Sequence, residues 1–245
     1  MERCSLHPLD LTIVRTYADA VLNDFAPAAG RNLSESIDST KEISRNSARE
    51  RAPEAHQLTV GLAAELARAY PSFVQDGWGL TIYEARVERG VGMYLRPPSR
   101  LFRDAGLADN LARRLPIRLE FNGMPMGGAF VPARLVPDLR ALLDQRGERL
   151  VRRLVEAERN PIASLGLFLE ACDYAIDRGL GLYEATGVPA DAGALMLADP
   201  SRLAPERRSR LEAAMRPPRK AGLLERLLHR DSPGPARQNG HIPPG

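Results

Sequence analysis

Lysine is almost missing from this chain. Of its 34 basic residues only Lys41 and Lys220 are lysine, and the rest are arginine. A P-loop needs Gly-Lys followed by Ser or Thr, and no Gly-Lys occurs. The compact region also lacks a lysine for a Schiff base or a kinase-type phosphate clamp. Histidine is nearly as scarce, with His7, His56, His229 and His241. Three of these fall in segments that read as tails, so a Ser-His-Asp or Cys-His arrangement would have to use His56. No HExxH spacing is present. The two cysteines, Cys4 and Cys172, show no CxxC or Cys/His spacing, which argues against a disulfide scaffold and against structural zinc. No apolar run approaches the roughly 18 residues of a membrane-spanning helix. The N-terminus, MERCSLHPLD, has no basic segment followed by an apolar core and does not read as a signal peptide. These absences together point to the cytoplasm. Gly77/Gly79, Gly90/Gly92 and Gly179/Gly181 form GxG pairs, but none extends to GxGxxG, and there is no nucleotide or haem motif.

What is present begins with arginine. Its guanidinium fork fits carboxylates and phosphates. Spread along the whole chain, as here, it is also what biased codon usage leaves on a solvated surface.

Local signals divide the chain into four parts. Residues 1–29 hold an amphipathic helix over about 8–24, with Pro8 and Asp10 at its start and Leu11, Val14, Ala18, Val21 and Leu22 on one stripe. Residues 30–52 are poor in apolar side chains and read as a flexible linker. A core is expected over 53–216, and residues 217–245 read as a disordered basic tail. Within the core, Pro53 opens a helix that Pro71 stops. LTIYEARV and VGMYL read as strands around a short loop, and PIRLEF as a strand ending in Asn122-Gly123, a strong hairpin signal. Pro125 confines the return arm to an edge. Pro137 opens a long helix to about Arg159. Asn160-Pro161 opens another that ends at Gly179 and is apolar nearly all round. The expected fold class is therefore α+β: a small, mainly antiparallel sheet packed against two long helices, with a tethered N-terminal helix and a disordered C-terminal tail.

Three groups of residues are candidates for function. Glu170, Asp173 and Asp177 share one face of the apolar helix, and Glu184 follows in the next strand. Together they would suit a divalent metal such as Mg²⁺ or Ca²⁺. Equally, they form a solvent stripe, or pair with Arg149, Arg152 and Arg153. Met93, Met124 and Met126 would line a ligand-contact edge near the hairpin. Leu223, Leu224, Leu227 and Leu228 form the apolar side of a short tail helix that would dock on a protein partner. Around them, residues 202–230 carry nine basic against three acidic residues, a feature compatible with nucleic acid but lacking interleaved aromatics.

One further pattern is the pair GLTIYEA (79–85) and GLGLYEA (179–185). The similarity ends at Ala85 and Ala185, so it is not a duplicated domain. It reads as two strand starts, each carrying a Tyr-Glu pair, with Glu84 and Glu184 a possible carboxylate pair. The functional expectations are then a non-enzymatic protein-interaction or regulatory module acting with a protein partner or by self-association, a metal-dependent hydrolase or other carboxylate-based enzyme, and nucleic-acid binding through the arginine-rich surface.

Overall fold

β1 (Arg3–Leu9) lies inside the main sheet, paired on both edges. This computed structural model describes residues 3–23, 52–76, 79–112, 115, 119–121, 124–126, 128–155, 160–186 and 193–216. The remaining elements of the sheet are β2 (Ser72–Asp76), β5 (Phe130–Val131), β6 (Gly181–Thr186) and β7 (Leu195–Leu197), in the order β5-β6-β1-β2-β7. β1 runs antiparallel to β2 and to β6, β5 runs antiparallel to β6, and only β2 and β7 are parallel. The fold class is the α+β arrangement with a mainly antiparallel sheet that the patterning predicts. β3 (Leu119–Phe121) and β4 (Met124–Met126) form a separate two-stranded hairpin, with Phe121 opposite Met124. Asn122-Gly123, the expected turn of this hairpin, lies outside the described residues.

Helices cover both faces of the sheet. Alternation along β1 sends Leu6 to one side and Leu9 to the other. On the first side Leu6, Phe73 and Leu182 pack with α8 (Pro161–Asp177), α6 (Val136–Gln145) and α7 (Gly147–Leu154). On the second side Leu9, Tyr183 and Ala185 pack with α1 (Leu11–Asn23), α2 (Ala52–Ala69), α4 (Leu101–Asp104) and α5 (Asp109–Ala112). α8 is buried along most of its length, as its nearly uniform apolar sequence requires. Its ends follow local rules. Asn160 Oδ1 accepts from the Ala163 N–H at 3.1 Å. Gly179 takes φ +66°, and the Gly179 and Leu180 N–H groups bond back to the Ile176 and Ala175 carbonyls.

Three local expectations are corrected. The first concerns the N-terminus. Residues 1–29 were expected outside a core beginning at 53, yet β1 is the middle strand and α1 is packed against α2 through Val14, Tyr17, Ala18 and Val21. Asp10 caps α1, accepting from the Thr12 N–H at 2.8 Å and from the Tyr70 hydroxyl at 2.9 Å. Pro8 pairs within β1, where only β6 runs alongside. Second, the expected strand at 80–87 is helical. α3 (Leu80–Ile82) continues into a π-helical turn, Tyr83–Val87, closed by the Glu88 N–H on the Tyr83 carbonyl at 2.7 Å, and a 3₁₀ segment, Arg89–Met93, follows. Third, the long helix from Pro137 is two helices, α6 and α7, separated at Arg146. The tail beyond 216 and the linker at 30–51 lie outside the described residues.

Because β1 supplies the centre of the ladder and the side chain of Leu6 to the core, Leu6→Ala should cost about 3 kcal/mol in urea unfolding. A chain lacking residues 1–10 should have no cooperative melt by circular dichroism. A cooperative melt in that truncated chain would show that β1 is dispensable.

Candidate functional site

The GLTIYEA and GLGLYEA segments meet, but not as paired strands. Glu184 lies on β6 opposite Leu6, facing the helical start of the first segment. Its Oε2 accepts from the Thr81 N–H at 3.1 Å and from the Thr81 hydroxyl at 2.5 Å. The N-cap residue of α3, Gly79, contributes no side-chain cap, so a carboxyl from a strand 103 positions away satisfies this helix start instead. The Cys4 thiol donates to Oε1 at 3.6 Å. Gly79 is the residue this approach demands: a Cβ there would sit 1.8 Å from Glu184 Oε1 and 2.5 Å from Cys4 Sγ.

This carboxyl is fully buried, and burial pushes its pKa up to about 7 against the hydrogen bonds from Thr81 and Cys4, with the charge of Glu84 adding to the rise. Burial, followed by the charge of Glu184, pushes the Cys4 thiol well above its ordinary value. The charge of Glu84 therefore reaches Glu184, from a π-helical turn to a strand rather than across one sheet face. The two tyrosines part company: Tyr83 packs on one side of the sheet and Tyr183 on the other. The Tyr83 ring meets Phe168 edge-on, with centroids 4.5 Å apart. Its hydroxyl lies 2.6 Å from Ser164 Oγ, which donates to Gln75 Oε1 at 2.7 Å.

His7 also departs from expectation. It is completely buried on the opposite face of β1, not part of a tail. Ser5 Oγ stands 2.8 Å from Nε2 and Ser72 Oγ 3.1 Å from Nδ1, so both ring nitrogens are matched by hydroxyls that donate or accept as the neutral tautomer needs. Burial lowers its pKa to about 3. The side chain of His56 lies outside the described residues.

The acidic stripe on α8 is not assembled into one group. Glu170 is held by Arg202 at 2.8 Å and Asp173 by Arg140 at 2.7 Å, while Asp177 is exposed and Glu184 is inside the sheet. Among the described residues no cluster of three or more His, Cys, Asp or Glu is placed to hold a metal ion. The pairing arginines are not those of α7 named from sequence. Met93 is exposed, and only the backbones of Met124 and Met126, in β4, belong to the described residues. Leu223, Leu224, Leu227 and Leu228 lie outside them.

Two arginines of α7, Arg149 and Arg152, serve another place, while Arg153 donates to the Val87 carbonyl. Together with α9 (Pro205–Met215) this helix walls a cleft of about 550 Å³ lined by Arg146, Arg149, Arg152, Arg207 and Arg210, with Asp144, Glu148 and Glu206 among them. Arg207 pairs with Asp144, and Arg210 with Glu148 at 3.3 Å. Beneath Arg146 and Arg149 lies Glu88, whose carboxylate is 5% exposed and receives Arg146 at 2.6 Å. Sequence reading overlooked this cleft, although Arg146, Arg149 and Arg152 at three-residue spacing were its visible signal.

No protein-family model matches this chain, and neither a characterised protein nor a solved structure is similar to it at a significant level. No helix among the described residues is long and apolar enough to cross a membrane. Glu184 and His7 are internal titratable groups, and the arginine cleft is open to solutes.

The two internal groups act on stability with opposite sign. Glu184 titrates near 7 when folded and 4.5 when unfolded, so stability falls as pH rises from 4.5 to about 7. His7 titrates near 3 when folded and 6.5 when unfolded, so stability falls as pH drops from 6.5 towards 3. Each slope is about 1.4 kcal/mol per pH unit, and the two oppose between 4.5 and 6.5. Glu184→Gln, which keeps an oxygen for Thr81, should unmask the His7 slope, measured as urea-unfolding free energy against pH. A variant profile identical to the parent's would refute the assignment.

Proposed function

We propose that this protein is a non-enzymatic cytoplasmic interaction module that engages a partner through its arginine cleft. The observation that carries this reading is a division of chemistry. Both cysteines, Cys4 and Cys172, the described histidine side chain His7, and the carboxyl of Glu184 are buried. Cys4, His7 and Glu184 are moreover bonded to internal neighbours. The cleft between α7 and α9 is open, polar and rich in the side chain that dominates recognition surfaces. Both cysteines are free thiols, which supports a reducing compartment.

A buried acid or histidine with satisfied hydrogen bonds rigidifies a core, and it does not meet a substrate without an opening that reaches it. Arginines anchored at a cleft rim, in contrast, are ready to exchange partners at little ordering cost.

Immobilised full-length protein should retain a specific partner from cells that express it, in a manner weakened by salt. Glu184→Gln should retain the same partner, and Arg149→Glu/Arg152→Glu should lose it while keeping the parent circular dichroism. Capture that disappears in Glu184→Gln with the fold intact would instead favour a carboxylate-based enzyme.

A further inference from the structure

The five arginines of the cleft are not equally occupied. On the α9 wall Arg207 and Arg210 each face their own acid, Asp144 and Glu148. On the α7 wall Arg146 and Arg149 share one carboxylate, Glu88, and Arg152 meets, among the described residues, only the Glu148 carbonyl through Nε at 3.3 Å. The sharing is uneven. Glu88 Oε1 receives Arg146 at 2.6 Å, whereas Arg149 Nε stands 3.7 Å from Oε2, which has no hydrogen bond among the described residues although it is buried. Three guanidinium groups against one carboxylate leave two positive charges over on this wall.

These three residues form a row at i, i+3 and i+6, climbing about 4.5 Å per step. Arg149 and Arg152 are neighbours on the exposed face of the helix. The row begins at the N-terminal end of α7, where Gly147 and Glu148 also line the cleft and the positive end of the helix dipole lies. Carboxylates set around the row limit what can lie here. Asp144, Glu148 and Glu206 line the same cleft, so a long polyanion would run into carboxylates on leaving the row. A compact dianion would not.

We propose that Arg149 and Arg152, with Arg146 anchored on Glu88, form a binding site for a phosphate monoester. Such a group carries close to two negative charges near neutral pH and three acceptor oxygens suited to guanidinium forks. Resting on the interaction reading, the natural bearer of this group is a phosphorylated side chain of the partner. Glu88 is a positioning residue in this arrangement: it fixes the Arg146 end of the row and leaves the looser Arg149 to close on the ligand.

Titration calorimetry on the full chain tests this with phenyl phosphate, benzoate, Gly-phosphoserine-Gly, Gly-Ser-Gly, glucose 6-phosphate and a single-stranded oligonucleotide. Phenyl phosphate and the phosphopeptide should bind at neutral pH, with affinity falling below about pH 6 as the second phosphate proton returns. Benzoate and Gly-Ser-Gly should not bind. Arg149→Gln/Arg152→Gln should weaken phenyl phosphate on the order of tenfold per arginine, with Arg202→Gln, which lies outside the cleft, close to the parent. Equal binding of benzoate, undiminished binding by the double variant, or tighter binding of the oligonucleotide would overturn the site. Glucose 6-phosphate binding more tightly than the phosphopeptide would uphold the phosphate site and instead remove the protein-interaction reading.

Discussion

The double pairing of β1 is the constraint on which the rest of this molecule depends. A strand of seven residues is bonded to β6 over Cys4–Leu9 and to β2 over Arg3–Leu6. It therefore ties together chain segments that begin near residues 3, 72 and 181. Its two faces seed both cores: Leu6 enters the cluster around α8, and Leu9 the cluster around α1 and α2. With β1 removed, β2 and β6 would each expose a row of unpaired backbone groups, and both helical layers would lose their common floor.

The same strand carries the fold's buried polar chemistry. Ser5 and His7 lie on one face and Cys4 on the other, and each finds its partner from another element: Ser72, Ala185 and Glu184. Buried polar groups of this kind cost free energy unless they are matched, and once matched they admit few alternative registers. A slip of β1 by one residue would bring His7 to the face of Glu184 and turn Leu6 away from its cluster. His7 and Glu184 thus hold the register while pulling stability in opposite directions with pH, which keeps the net dependence small across mildly acidic conditions.

Beyond the core, arginine does two different jobs. Arg140 and Arg202 neutralise the acids of α8, and this is a solvated surface with little energetic weight. Arg146 and Arg149 lean on a nearly buried Glu88, so their charge is held at a fixed place in the cleft. Position and burial of the counter-charge, not the arginine itself, separate the two cases.

Signals carried within a few neighbouring residues were legible from the sequence alone. Asn160-Pro161 started α8, Gly179 ended it, and the uniform apolar pattern sent it to the centre. Each depends on backbone preferences and periodicity that need no distant partner. The tertiary structure decided the remainder. RCSLHPL looks too polar for a central strand until Ser72 comes to His7 from 65 positions away. GLTIYEA carries strand propensity, and it is helical where the Glu184 carboxyl satisfies its first turn. Asp173 and Glu170 of α8 took arginines from α6 and from just before α9, leaving Arg149 and Arg152 of α7 to a cleft that exists only once α9 packs beside it. Long-range partners are chosen by packing, and local sequence has no means of naming them.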